Sequence, residues 1–502
     1  MPERRAAAPR IRIGPPQTAT LFGLAPVLHF LGIILCGLGG VMLVPAAVDF
    51  VDRSADASVF LIAAAATVFT GVTLTLSFAG EELRINLRQG VLAVILTWIG
   101  ASFFGALPFM FAARPLSFTD AVFETVSGLT ATGSTVYVGL DRAPRGILLW
   151  RFLLTWMGGF GLVTFAVLVL PYLRVGGLQL FMVDLSARPG KFVPKTAEVV
   201  AQIAFVYVLL TLLCAIAFGA AGMSTLDAVG HAMAALATGG FSSHDAGIGH
   251  FESPAVEWIA TLFMLLGAMP FALYIHLLRG QPGPLLGDYQ VRLFLVVIGA
   301  GVLLLAIWRL KGGALTVEQA VREAAFNVVS IISTTGFTSH DFGQWGGFAS
   351  LVLFCAMLMG GCTGSTAGGI KMFRLYVLLE ALKAQIGRQI YPNGVFTVRY
   401  NRAPVPPAIV AAVVTYAFAY LATFSLLALA LAFAGLGFEE SLGAAATSLG
   451  GVGPGLGPRI GPCCTFAGIA DSAKWLLVFG MLAGRLEILL LVLPFTPAFW
   501  RA

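Results

Sequence analysis

Charge is what this sequence has least of. Asp, Glu, Lys and Arg make up 11% of its 502 residues, while 58% are hydrophobic. Soluble domains carry about 25% charged residues. The length would allow roughly three soluble domains, but so little charge could not cover their surfaces. The same apolar excess excludes intrinsic disorder. Cysteine is scarce as well, and 6 in the whole chain exclude a disulfide scaffold. Cys36, Cys214 and Cys355 lie in apolar runs and read as small buried hydrophobes. Cys362 sits in a glycine-rich stretch, and the adjacent Cys463 and Cys464 receive no chemistry. His29, His231, His244, His250, His276 and His340 form no catalytic cluster, and no metal-ligand spacing is present. No serine–histidine–acid set is visible. No Gly-rich loop ends in Gly-Lys-Ser/Thr, so ATP or NAD binding by this chain is not expected. The net charge of +6 is spread over short segments between apolar stretches and forms no nucleic-acid-binding patch.

What is abundant is apolar length and glycine, with 59 glycines in the chain. A hydrocarbon core of about 30 Å needs about 20 apolar helical residues. Such stretches lie near 21–47, 57–80, 90–112, 147–171, 198–220, 254–278, 292–309, 348–372, 407–434 and 475–498. The basic N-terminus runs from Met1 to Arg12 and leads into the first of them, which reads as a retained span and not a signal peptide. Ten spans put both termini on one side, and basic residues choose that side. With the N-terminus inside, the inner set is Arg4, Arg5, Arg10, Arg12, Arg84, Arg88, Arg174, Arg188, Lys191, Lys195, Arg279, Arg292, Lys371, Arg374, Lys383, Arg388, Arg399, Arg402 and Arg501, or 19 of the 30 Lys and Arg. Both ends are therefore expected in the cytoplasm.

Four segments between spans repeat one pattern: Asp120 to Gly133, Asp227 to Gly239, Glu323 to Gly336 and Glu440 to Gly453. The acid precedes the glycine by 13, 12, 13 and 13 residues, and the glycines are 106, 97 and 117 residues apart. This is an internal repeat of span, short helix, glycine-bearing extended segment, span. Ten or so helical residues are about 15 Å long, half a membrane. An acid at the helix start suits its positive end. Backbone that enters halfway and returns must line an enclosed or watery space. Four such segments around one axis would offer rings of carbonyls able to replace the hydration shell of a cation.

These motifs resemble the Trk/Ktr/HKT superfamily of potassium transporters, and within it the membrane subunit of the bacterial Trk potassium uptake system. The stretches that carry the resemblance are Phe123–Thr135, Trp156–Gly161, Ala237–Ser242, Phe326–Thr338 and Gly360–Lys371, within about residues 20–500. The resemblance implies an all-α integral membrane protein. Four helix–pore helix–helix units surround one pore, after two extra transmembrane helices. The implied divisions are 1–82 for the N-terminus and extra helices, then units at 83–174, 175–280, 281–400 and 401–502. The selectivity filter would comprise Thr132, Gly133, Thr238, Gly239, Thr335, Gly336, Val452 and Gly453. Potassium would be held by the carbonyls of Thr132, Thr238, Thr335 and Val452. In the family, serine at the first filter position goes with sodium passage, and Gly133 here implies preference for potassium and rubidium. The fourth segment departs from the family's frequent Asn, having Gly451 before Val452, which implies a wider or less hydrogen-bonded fourth quarter.

The resemblance also implies a homodimer in the bacterial inner membrane. A separate cytoplasmic nucleotide-binding regulatory subunit would control it, so nucleotide is expected on that partner alone. The chain itself would bind no cofactor and transport K+. Gly360, Gly361, Gly364, Gly368 and Gly369 interrupt the eighth span, and Ser365, Thr363 and Thr366 can satisfy the freed backbone. This stretch reads as a non-helical gating loop below the filter. Lys371 is either part of it or a plain cytoplasmic-side cation. Arg485 lies about eleven residues into the last span, where an unpaired charge facing lipid is costly, so it should face the pore or that loop. Glu487, two positions on, would not share its helical face. A second reading remains open, an alternating-access carrier of a small solute coupled to sodium or protons, because carriers also use broken helices and repeats.

Overall fold

The computed structural model describes residues 21–79, 86–168, 193–313 and 315–501. Two long apolar helices, α1 (Ala25–Val51) and α2 (Asp56–Ser77), precede the repeats. Their contact is set by small residues: a Cβ added at Gly71 would lie 2.8 Å from the Gly32 carbonyl oxygen. Without a solvent-driven hydrophobic effect, such close backbone approach supplies the packing energy in lipid. Acids at the facing ends of α1 and α2 fasten this pair to the next unit. Asp49 accepts from the Gly146 amide at 2.8 Å and Asp56 from the Ala113 amide at 2.7 Å.

Four units follow. The first comprises α3 (Leu87–Phe111), pore helix α4 (Phe118–Leu129) and α5 (Arg145–Leu168). The second comprises α6 (Val193–Ala220), pore helix α7 (Thr225–Leu236), α8 (Pro254–Gly267) and α9 (Phe271–Leu278). The third comprises α10 (Tyr289–Leu310), pore helix α11 (Val317–Ile332), α12 (Gly347–Met357) and α13 (Met372–Ile390). A two-residue hairpin, β1 (Arg399–Tyr400) paired antiparallel with β2 (Ala403–Pro404), leads to the fourth unit. That unit is α14 (Pro407–Phe433), pore helix α15 (Phe438–Gly450), α16 (Asp471–Leu486) and α17 (Ile488–Val492). Beyond their first turns the pore helices are mostly buried, and the first spans of the units turn apolar side chains outward. Among the single long spans, α5 is 78% buried against 22–33% for the other six, which places it in the interior of the bundle.

Two expected spans are not continuous. The sixth bends by 99° between α8 and α9, where Pro270 cannot donate a backbone hydrogen bond. The tenth bends by 114° between α16 and α17, where Glu487 adopts φ 69°. The seventh is a full 22-residue helix, longer than its hydropathy suggests. The eighth is helical only to Met357 before its glycine loop. Of the unit boundaries, 280 falls at the turn after α9 and 400 falls inside the hairpin. Those at 82 and 174 lie outside the described residues, as do Arg4, Arg5, Arg10, Arg12, Arg84, Arg174, Arg188 and Lys191.

Candidate functional site

Each pore helix begins with a cap that its sequence supplies. The Ser117 and Ser224 hydroxyls accept from the amides of Asp120 and Asp227, and Thr316 accepts from Gln319. Gly437 has no side chain, and its amide donates to the Glu440 carboxylate at 3.0 Å. Asp120, Asp227 and Glu440 thus occupy the first turn, where a carboxylate meets the positive helix end. The third unit differs from expectation. Its pore helix has 16 residues, a turn more than the first, so Glu323 sits a turn inside the helix. All four repeat acids have cationic or imidazole partners: Asp120 with Lys474 at 2.6 Å, Asp227 with His244 at 3.4 Å, Glu323 with Arg309 at 2.5 Å, and Glu440 with Arg459. Between α4 and α5, a hydrogen bond from His244 holds the Asp141 carboxyl below the usual carboxylate range.

The pore helices end identically. Amides of Thr132, Gly239, Thr335 and Val452 donate to the carbonyls five residues back, at 2.9, 2.9, 2.9 and 3.0 Å. The preceding residues, Ala131, Thr238, Thr334 and Gly451, are left-handed, with φ 49°, 50°, 57° and 70°. This is the Schellman ending. Three of the four quarters use a non-glycine there, at about 1–2 kcal/mol each, and Gly451 removes that strain from the fourth. The fourth quarter is therefore not less hydrogen-bonded than the others in its backbone, contrary to expectation. Its Gly453 carbonyl also accepts from the Ser134 hydroxyl at 2.7 Å.

This register corrects one assignment. The second left-handed glycine in each quarter is Gly133, Gly240, Gly336 and Gly453, with φ 85°, 62°, 76° and 110°. Gly240, and not Gly239, is the equivalent of the other three, and the residue before it is Gly239, not Thr238. Counting from Asp227 to Gly240 gives the same 13-residue spacing as in the other quarters. Spacing from the acid thus selects Gly240 over the first glycine of the pair, and the left-handed φ agrees. The four segments close a ring. A Cβ added at Gly133 would lie 2.5 Å from the Gly239 oxygen, and one at Gly453 would lie 2.8 Å from the Thr132 oxygen. One at Gly240 would collide with the Thr335 oxygen and one at Gly336 with the Val452 oxygen. Each glycine therefore faces the carbonyl before the next glycine, from the first unit through the fourth and back.

Behind the ring lies a polar network absent from the sequence reading. Buried Glu124 receives the Arg151 Nε at 2.7 Å and the Val136 amide at 2.9 Å. Arg151 Nη1 donates to the Ser242 carbonyl at 2.6 Å, and its guanidinium lies 4.2 Å from the Phe241 ring centroid. His231 meets the Ser242 hydroxyl at 2.9 Å. One ion pair thus ties the first and second filter segments together. The available signal was position: Glu124, His231 and Asn327 each lie four residues after the repeat acid, while the fourth unit has Ala444. Removing one member of a buried pair costs about 3–5 kcal/mol. Glu124→Ala should therefore lower thermal stability in detergent markedly, and Glu124→Gln less. An unchanged unfolding midpoint for the alanine variant would refute this role.

The glycine loop lies against the inner ends of the pore helices. The Thr366 hydroxyl donates to the Leu236 and Gly267 carbonyls at 2.9 and 3.0 Å, and the Gly368 amide donates to the Thr334 hydroxyl at 2.7 Å. The bent second unit joins in: Cys362 donates to the Ala268 carbonyl and Phe271 to the Gly364 carbonyl, at 2.9 and 3.0 Å. The Ser365 hydroxyl donates to the Cys362 carbonyl at 2.6 Å. Side chains added at Gly360 and Gly369 would strike the facing strand of the loop, at Gly368 and Met359, and one at Gly361 would press on Ala268. Lys371 donates from Nζ to the Ala367 carbonyl and is only partly exposed, so it is no freely solvated cytoplasmic cation. Arg485 donates to the Thr366 carbonyl at 2.9 Å and to the Gly158 carbonyl at 3.2 Å. Glu487 is not its partner. It pairs with Arg374 at 2.7 Å, and that guanidinium lies 3.7 Å from the Tyr416 ring centroid. Arg374, counted among the cytoplasmic-side basic residues, is thus buried in an ion pair.

A family model described as "Cation transport protein" matches residues 56–501. The chain is 41% identical over 492 residues to the Trk system potassium uptake protein TrkI of Halomonas elongata, covering 96% of this chain and 98% of the relative. It is 35% identical over 483 residues to TrkH of Escherichia coli K12, covering 95% and 99%. The crystal structure of the potassium transporter TrkH from Vibrio parahaemolyticus superposes with a TM-score of 0.89 at 33% identity, covering 96% of this chain and all of that one. The all-α multi-span fold is that of the crystal structure, and the family is one of transporters, not enzymes. The chain belongs to the TrkH family of cation transport proteins.

Proposed function

We propose that the protein takes up potassium across the bacterial inner membrane. The ion would pass through a ring of carbonyls contributed by Thr132, Gly239, Thr335 and Val452. The observation that carries this reading is the closed cycle in which Gly133, Gly240, Gly336 and Gly453 each face the next unit's carbonyl. A narrow ring of backbone oxygens with no side chain in the path suits a weakly hydrated monovalent cation. Four hairpins of like orientation around one axis favour this over an alternating-access carrier, which would use paired inverted repeats. The loop from Gly360 to Gly369 would gate the inner route, latched by Arg485. A homodimer with both termini cytoplasmic, controlled by a separate nucleotide-binding regulatory subunit, is the assembly that fits the family. Uptake of K+, Rb+, Na+ and an uncharged solute into proteoliposomes tests the reading. The expected result is similar K+ and Rb+ entry, Na+ entry slower by about tenfold or more, and no entry of the uncharged solute. Equal Na+ and K+ entry would sink the selectivity assignment.

A further inference from the structure

Eight residues beyond Gly133 and four beyond Gly240, the outer loops of the first two units meet. Asp141, His244 and His250 gather there, each offering a ligand atom within 4.8 Å of the others. His244 Nδ1 lies 2.6 Å from Asp141 Oδ1. The His244 and His250 rings are parallel, with centroids 3.6 Å apart and planes 4° apart. Their backbone supports are fixed: Asp245 Oδ1 accepts from the Gly139 and Leu140 amides at 3.1 and 3.0 Å, holding one loop on the other. The far nitrogen of His244, Nε2, is buried without a hydrogen-bond partner and sits 3.4 Å from Asp227 Oδ1. That is the outer carboxylate by which a metal-bound imidazole is commonly oriented.

We propose that Asp141, His244 and His250 form a site for a first-row divalent cation of the zinc class, bridging the first and second units at the outer mouth. Two imidazoles and a carboxylate are the donor set that such ions prefer, with water completing a tetrahedron. His244 would bind through Nδ1 while Nε2 donates to Asp227, and the two rings must turn out of their parallel stack for both ligand nitrogens to reach one ion. His244 also lines the outer cavity of about 300 Å³ into which Gly133, Gly240, Gly336 and Gly453 open. An ion of charge +2 at this rim repels an entering monovalent cation and locks two filter-bearing loops together. Occupancy therefore slows cation entry.

The test uses the full chain and zinc chloride. Equilibrium dialysis of the detergent-purified protein should find one zinc per chain. Zinc outside proteoliposomes should slow Rb+ influx at least fivefold, reversibly on chelation. His250→Ala should lose both effects while keeping zinc-free Rb+ influx, which also shows that it folds. Asp141→Asn should weaken zinc binding at least tenfold. Cys463→Ser with Cys464→Ser, removing the thiols near the same cavity, should retain both effects. No zinc bound by the wild-type chain, or equal binding by His250→Ala, overturns the site. Bound zinc without slowed influx overturns its control of entry. The dialysis result stands whatever ion the pore carries, so failure of the site and failure of the potassium reading are separable.

Discussion

Replacing Gly336 with alanine should reduce K+ flux by at least a hundredfold, and Gly240→Ala should do nearly the same. At both positions the added Cβ collides with a backbone oxygen of the next unit, Val452 or Thr335, which cannot swing aside as a side chain would. Both glycines are left-handed, at φ 76° and 62°, adding about 1–2 kcal/mol of backbone strain to any replacement. Gly133→Ser has more room, its Cβ lying 2.5 Å from the Gly239 oxygen. It should leave conduction but weaken discrimination between K+ and Na+ by displacing that carbonyl. The register supplies a sharp control. Gly239 lacks the left-handed φ, and its Cβ would meet first the side chain of Thr155. Gly239→Ala should therefore be milder than Gly240→Ala in Rb+ uptake by matched amounts of folded protein. The reverse order would show that the ring has been assigned in the wrong register.

Deleting several residues of the Gly360–Gly369 loop should raise basal K+ flux and reduce dependence on a regulatory partner. The loop is held beneath the ring by bonds to the second and third units, through Leu236, Gly267 and Thr334, and to the fourth by Arg485 through Thr366. Arg485→Ala removes a charged donor worth about 1.5–3 kcal/mol, which is about ten- to a hundredfold in a two-state equilibrium. It also removes a positive charge from the inner route, so both effects act toward flux. The alanine variant should still be less active than the loop deletion, because the latch is gone but the plug remains. Arg374 and Glu487 supply the contrast. Breaking their buried pair should cost stability without opening the route, because neither side chain bonds to the loop. Unchanged basal flux in the loop deletion would reject the gate and leave the ring untouched.

Much of this architecture was legible without coordinates. Apolar runs longer than a bilayer, a fourfold repeat of acid and glycine, and a span broken by glycine are composition and spacing, and these survive any change of backbone detail. The acids Asp120, Asp227 and Glu440 near the starts of the short helices were equally local. What the chain could not state is anything set by contacts between distant segments. The even 13-residue spacing favours Gly240 over Gly239, but its close approach to the Thr335 carbonyl, 95 residues on, belongs to the packing of the second unit on the third. The bends at Pro270 and Glu487 occur inside apolar stretches that hydropathy counts as continuous, because hydropathy is blind to φ and to a missing amide donor. Glu124 and Arg151 lie 27 residues apart and Arg374 and Glu487 lie 113 apart, so neither pair shows in the sequence. Only the packed bundle makes them pairs, since a charge taken out of water must find its partner wherever the fold has put one.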